Sequence, residues 1–167
     1  MTKLHKLTLD TNLLQEYWKK RSKYKVIERL ISLSKKGRID LVVTARIRED
    51  IPLSPLAEEI DKLSEVNIAE TCSITRLGHW VLGRDMLCNG EMNEYWEQIR
   101  QKASKQRGEL PDWRDEDHIH AHYLLKRDIF LTWDKGILSL ADDLKDKFCI
   151  IIMTPEEYLS TIDVRNI

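Results

Sequence analysis

Several carboxylates fall where apolar runs stop. Leu7-Thr8-Leu9 ends at Asp10, and the run 128–133 ends at Asp134. The run 39–44, IDLVVT, is followed five residues after Thr44 by Glu49, while Asp115 and Asp117 open the segment that precedes Asp134's run. Singly, each acid has a plain role. Asp10 suits a turn, and Asp115 and Asp117 suit the positive end of a helix dipole. Together they suggest more, because carboxylates brought close repel unless a cation lies between them. Oxygen ligands favour hard divalent ions, Mg²⁺ or Mn²⁺. Such an ion acidifies a water and stabilises charge on a phosphodiester. There is no Gly-rich phosphate loop and no G-x-S-x-G, which removes nucleotide-loop and serine-elbow chemistry.

Two other clusters compete for attention. His118, His120 and His122 alternate as H-x-H-x-H, which on a strand could grip zinc. The segment reads as helical, where only His118 and His122 share a face. A surface or supporting role is therefore expected, such as His118 orienting a carboxylate. Basic residues crowd 19–25, with Lys20 and Arg21 beside Trp18 and Tyr24, and again 100–107. They fit either a solvated helix start or phosphate contacts. Arg46 and Arg48 flank Glu49 and could steer RNA toward the acids. Cys72, Cys88 and Cys149 are isolated, so small buried thiols are expected rather than a zinc site or disulfide framework.

The elements that must position these groups alternate. Runs 7–9, 39–44, 128–133 and 148–153 read as strands. Helical periodicity covers 13–18 and 26–33, with Gly37 as a stop. Helices are also expected over 45–51, 54–63, 92–105, 115–126 and 137–144, and 68–74 as extended chain. Thr154-Pro155-Glu156-Glu157 is a helix N-terminus. Strands separated by helices predict an α/β fold with a mostly parallel sheet, whose functional groups gather beyond the strands' carboxyl ends. The chain of 167 residues is 42% hydrophobic with net charge −1, enough for one core and one domain, 1–167. That balance excludes a globally basic coat protein. No run is long enough to span a membrane, so a cytoplasmic protein is expected.

The chain resembles the PIN-domain nucleases. The likeness rests on L-T-L-D-T-N at 7–12, V-V-T-A-R-I-R-E at 42–49, D-E-D-H-I-H-A-H at 115–122, D-I-F-L-T-W-D at 128–134 and I-I-I-M-T-P-E-E-Y-L at 150–159. It implies a three-layer α/β/α sandwich with a mostly parallel central sheet and a Mg²⁺- or Mn²⁺-dependent ribonuclease. The implied acidic quartet falls on Asp10, Glu49, Asp115 and Asp134, with Asn12 and Thr132 in support. Asp50 could compete with Glu49. The third position falls among Asp112, Asp115, Glu116 and Asp117. Asp115, three residues before His118, matches a D-x-x-H variant. An insert around 64–108 maps to no motif. The resemblance further implies RNA as partner, a homodimer, and an antitoxin if the protein is a toxin. The competing reading is a non-catalytic RNA-binding or interaction module of the same fold.

Overall fold

β1 (His5–Leu9) alternates cleanly: Leu7 and Leu9 enter one core, and Thr8 points to the other side of the sheet. The structure is a computed structural model describing residues 4–47, 66–69, 73–74, 85–86, 92, 94–99 and 113–164. Two amphipathic helices follow, α1 (Thr11–Trp18) and α2 (Tyr24–Lys35). β2 (Ile39–Thr44) lies parallel to β1, with Leu9 opposite Val43. Next come β3 (Asn67–Ala69), β4 (Ser73–Ile74) and β5 (Asp85–Met86). The chain continues through α3 (Trp113–Leu124), β6 (Ile129–Leu131), α4 (Lys135–Leu138), α5 (Ala141–Phe148), β7 (Ile151–Met153) and α6 (Pro155–Val164). Residues 94–99 are also helical.

Among the described residues the main sheet has five parallel strands in the order β3-β2-β1-β6-β7. β4 and β5 pair separately. From β1 the chain builds outward through β2 to β3, then returns to β1's other side for β6 and β7. The order therefore reverses between β1 and β6, and open α/β sheets place ligands outside the carboxyl ends at such a point.

Helices cover both faces, giving a three-layer α/β/α sandwich. One core joins Leu7, Leu9, Leu41, Val43 and Leu131 to Leu13 and Leu14 of α1, Ile27, Leu30 and Ile31 of α2, and Tyr158 and Leu159 of α6. The other joins Phe130 and Ile152 to Tyr95, Trp96, Ile119, Ile137 and Leu144. Trp18 and Trp133, both half-buried, pack against the first core.

Some boundaries differ from expectation. The helix expected over 137–144 is two, α4 and α5, because Leu140 N–H turns back to the Ile137 carbonyl and Ser139 Oγ bonds the Gly136 carbonyl. The last strand starts at Ile151 rather than 148, since Phe148 still belongs to α5. Cys149, expected buried, is exposed in a left-handed turn with φ 57°. The helix expected over 54–63, with Glu49, Arg48, Asp112, Cys72 and Cys88, lies outside the described residues. Among the described residues no helix is long and apolar enough to cross a membrane.

Candidate active site

The register of the three central strands builds the site. Leu9 pairs with Val43 on one side and Leu131 on the other, so the next residue in each strand, Asp10, Thr44 and Thr132, stands at the common carboxyl edge. Asp10 N–H continues the ladder to the Leu131 carbonyl at 3.0 Å. Its side chain, 4% exposed, is locked by one hydroxyl: Thr132 Oγ1 donates to Asp10 Oδ2 at 2.6 Å. The same Thr132 oxygen accepts the Asp134 backbone N–H at 2.9 Å. Asp134 Oδ1 in turn caps α4 by accepting the Ile137 N–H at 2.9 Å. A single fully buried hydroxyl thus sets the relative position of two acids on adjacent strands.

Burial pushes the Asp10 carboxyl above its ordinary value. The His118 charge, the Thr132 hydroxyl and the Asn12 backbone N–H oppose that shift, and the nearby Asp134 adds to it. This is a carboxylate short of positive charge.

α3 covers the second face of the sheet. His118, 2% exposed, reaches Thr11 Oγ1 from Nε2 at 3.2 Å and Thr44 Oγ1 from Nδ1 at 2.5 Å. It therefore ties α3 to the start of α1 and the end of β2 through two hydroxyls, and its charge also acts on Asp10. One turn on, His122 Nδ1 lies 2.9 Å from Thr8 Oγ1, and the ring meets Phe130 edge-on at 5.6 Å. Burial and Arg127, outweighing Asp128, bring His122 down to about 4. All three histidines are buried, which removes the surface alternative and leaves the supporting one.

The direction from His122 to His118 runs from the middle of β1 to the carboxyl edge. Asp115, three residues before His118, lies on the same helix face and one turn further toward that edge. It is half-buried. Asp117 instead pairs with Arg46, Oδ2 to Nη1 at 3.3 Å, with the two side chains 4% and 9% exposed. Arg46 therefore faces α3 rather than solvent. Glu116 is 3% exposed.

On the open side, an open cleft of about 550 Å³ adjoins Asp134, lined by Asn12, Glu16, Arg21, Trp133, Lys135 and Gly136. Lys20 and Arg21 stand exposed on the α1–α2 turn, where Lys20 has φ 45°. Trp133, Lys135, Glu16, Thr11 and Thr44 escape a reading of the sequence. Their only signal is proximity to Asp10 and Asp134, and that emerges from register and turn geometry.

The donors fit a hard divalent ion: they are carboxylate and hydroxyl oxygens, and Mg²⁺ is often held by one or two carboxylates plus substrate phosphate. Among the described residues no group of three or more His, Cys, Asp or Glu side chains is gathered to hold an ion. Glu49 lies outside that set.

No family model matches the chain. No curated protein matches it either. Among solved structures it is similar to VapBC2 from Rickettsia felis, crystallised with a DNA fragment from the promoter. The two share 14% identity at a TM-score of 0.47, over 89% of this chain and 98% of that one.

Proposed function

We propose that this protein is a Mg²⁺- or Mn²⁺-dependent endoribonuclease. The observation that carries the reading is the Asp10–Thr132–Asp134 arrangement at the point where the sheet order reverses. Asp10, Asp134, Asp115 and Glu49 would hold the ion. When bound, it would supply Lewis-acid polarisation of the phosphate and a more acidic water. The chain's own residues supply the rest. Thr132 keeps Asp10 and Asp134 in fixed relation, so no reorganisation is needed at the moment of reaction. His118 braces α3 against β2 and α1, which steadies Asp115. Glu49 and Asp115 would orient the water for in-line attack on phosphorus, with departure of the 3′ oxygen of the preceding nucleotide. Asn12 would bond a carboxylate or the phosphate. Lys20, Arg21 and Arg48 would contact RNA, whereas Arg46 would act through Asp117. A homodimer, with an antitoxin partner if the protein is a toxin, belongs to the same reading and rests on the five-motif resemblance alone; the cytoplasmic location rests on the apolar pattern of the sequence.

A fluorogenic RNA assay tests it. Cleavage with Mn²⁺ or Mg²⁺, lost in excess EDTA and in Asp10→Asn, is expected. Equal cleavage by that variant or in EDTA would sink the reading. The other reading is a non-catalytic RNA-binding or interaction module. RNA binding with no cleavage under any divalent ion would select it.

A further inference from the structure

We propose that the cleft beside Asp134 is a nucleotide subsite, in which Trp133 stacks a base of a single-stranded RNA while Arg21 and Lys135 hold its phosphate. The inference rests on the ribonuclease reading for its substrate, and on separate residues for its geometry. Trp133 and Asp134 line the same cleft, so a strand whose phosphate reaches Asp134 would have the indole within the same pocket. The cleft, at about 550 Å³, falls within the size range of small-ligand pockets. Its wall combines one aromatic ring, the cationic side chains of Arg21 and Lys135, and the amide of Asn12. Those are the parts a single strand needs, a stacking platform beside a positive track for the backbone.

The indole is also held in place from outside the cleft. Its Nε1–H donates to Glu156 Oε2 at 2.6 Å, and Lys23 Nζ sits 4.7 Å from the ring centroid. Lys23 Nζ bonds the other Glu156 oxygen at 3.2 Å, and the Lys23 backbone N–H donates to Glu16 Oε1 at 2.9 Å. The loop after β6, the start of α6 and the α1–α2 turn that carries Arg21 are thereby joined in one bracket. An aromatic ring fixed in this way loses little freedom when a base stacks on it. Glu16, also in the cleft wall, would repel a phosphate on its side and so set the direction in which the backbone runs.

The test uses the full chain and a short fluorescent single-stranded RNA, with binding read by anisotropy in EDTA and cleavage read separately with Mn²⁺. Trp133→Ala is expected to weaken binding roughly 10-fold, with Trp133→Phe recovering most of it, since stacking tolerates any aromatic ring. Arg21→Glu and Lys135→Glu, both on exposed side chains, should each weaken binding about as much and lower its salt dependence. An abasic nucleotide at one position should weaken wild-type binding and leave Trp133→Ala unchanged. Trp133-dependent binding without cleavage would uphold the subsite while overturning the ribonuclease reading. Cleavage by wild type with unchanged binding in Trp133→Ala, Arg21→Glu and Lys135→Glu would overturn the subsite alone. Should Trp133→Ala fail to fold, the two charge reversals and the abasic probe decide.

Discussion

Asp10 is costly to ionise in this fold, and that cost is itself measurable. Its folded pKa lies above the unfolded value of 3.8. Between those two values the native state holds the extra proton, so stability falls as pH rises through the folded pKa. Above its folded pKa the ionised carboxylate therefore weakens the metal-free protein. Asp10→Asn removes the charge and keeps an acceptor for the Thr132 hydroxyl. In EDTA its melting temperature should rise, by roughly 3 °C for each kcal/mol gained. Mn²⁺ should then raise the wild-type melting temperature through linkage and leave the variant unmoved. A variant that melts lower in EDTA would show that the carboxylate is structural. Thr132→Val tests the shared hydroxyl, because valine keeps the shape and removes both bonds. A loss of about 1–3 kcal/mol is expected in urea denaturation, with cleavage reduced at least 10-fold under the proposed function. Asp10 and Asp134 were legible as acids at strand ends. What Thr132 does was not legible, since it depends on which strands are neighbours. The pairing of Arg46, two residues past β2, with Asp117 of α3 is likewise not legible in the sequence, since it depends on how α3 docks.

Helix ends show where local signals run out. After α2, Gly37 at φ 65° accepts the left-handed conformation, Gly37 N–H bonds the Ser34 carbonyl, and Arg38 N–H bonds the Leu33 carbonyl. This Schellman closure was readable from the glycine. The same i+5 closure ends α1 and α3, from Arg21 to Glu16 and from Arg127 to His122. There the left-handed residues are Lys20 and Lys126, at φ 45° and 49°. Lysine carries no stop signal, so neither turn is marked in the local sequence. Gly37→Ala should destabilise by about 1 kcal/mol from backbone strain alone, since a Cβ at that position meets nothing within 4 Å. Lys126→Gly should stabilise by roughly 0.5–1 kcal/mol. Urea midpoints at unchanged m-value would check both, and a neutral result at both would mean the turns carry no strain.

At the scale of the molecule the two faces of the sheet differ in kind. The α1, α2 and α6 face is closed by apolar packing, mostly aliphatic with Tyr158, whereas the α3 face mixes Phe130 and Ile152 with a seam of hydroxyls and imidazoles. Strands separated by helices predict the mostly parallel sheet, and the resemblance implies the three layers. Neither gives sight of this seam, because threonine reads as an ordinary strand residue and H-x-H-x-H on a helix fits a surface or a supporting role alike. Buried polar pairs favour one docking of α3 over others, and that docking carries Asp115 toward Asp10's edge. The seam also sets an acid limit. His122 is held near 4 by burial and Arg127 against the opposing Asp128, and its unfolded value is about 6.5. Below pH 6.5 the unfolded chain takes up a proton that the native state refuses, so stability falls until the pH reaches about 4. His122 alone should remove about 2 kcal/mol between pH 7.5 and pH 5. His120, also lowered by burial, adds to the loss. Asp10 works the other way, gaining stability on acidification. Urea titrations at the two pH values should show the wild type losing stability and His122→Phe losing markedly less. An equal slope in both proteins would mean that the acid sensitivity lies outside the seam.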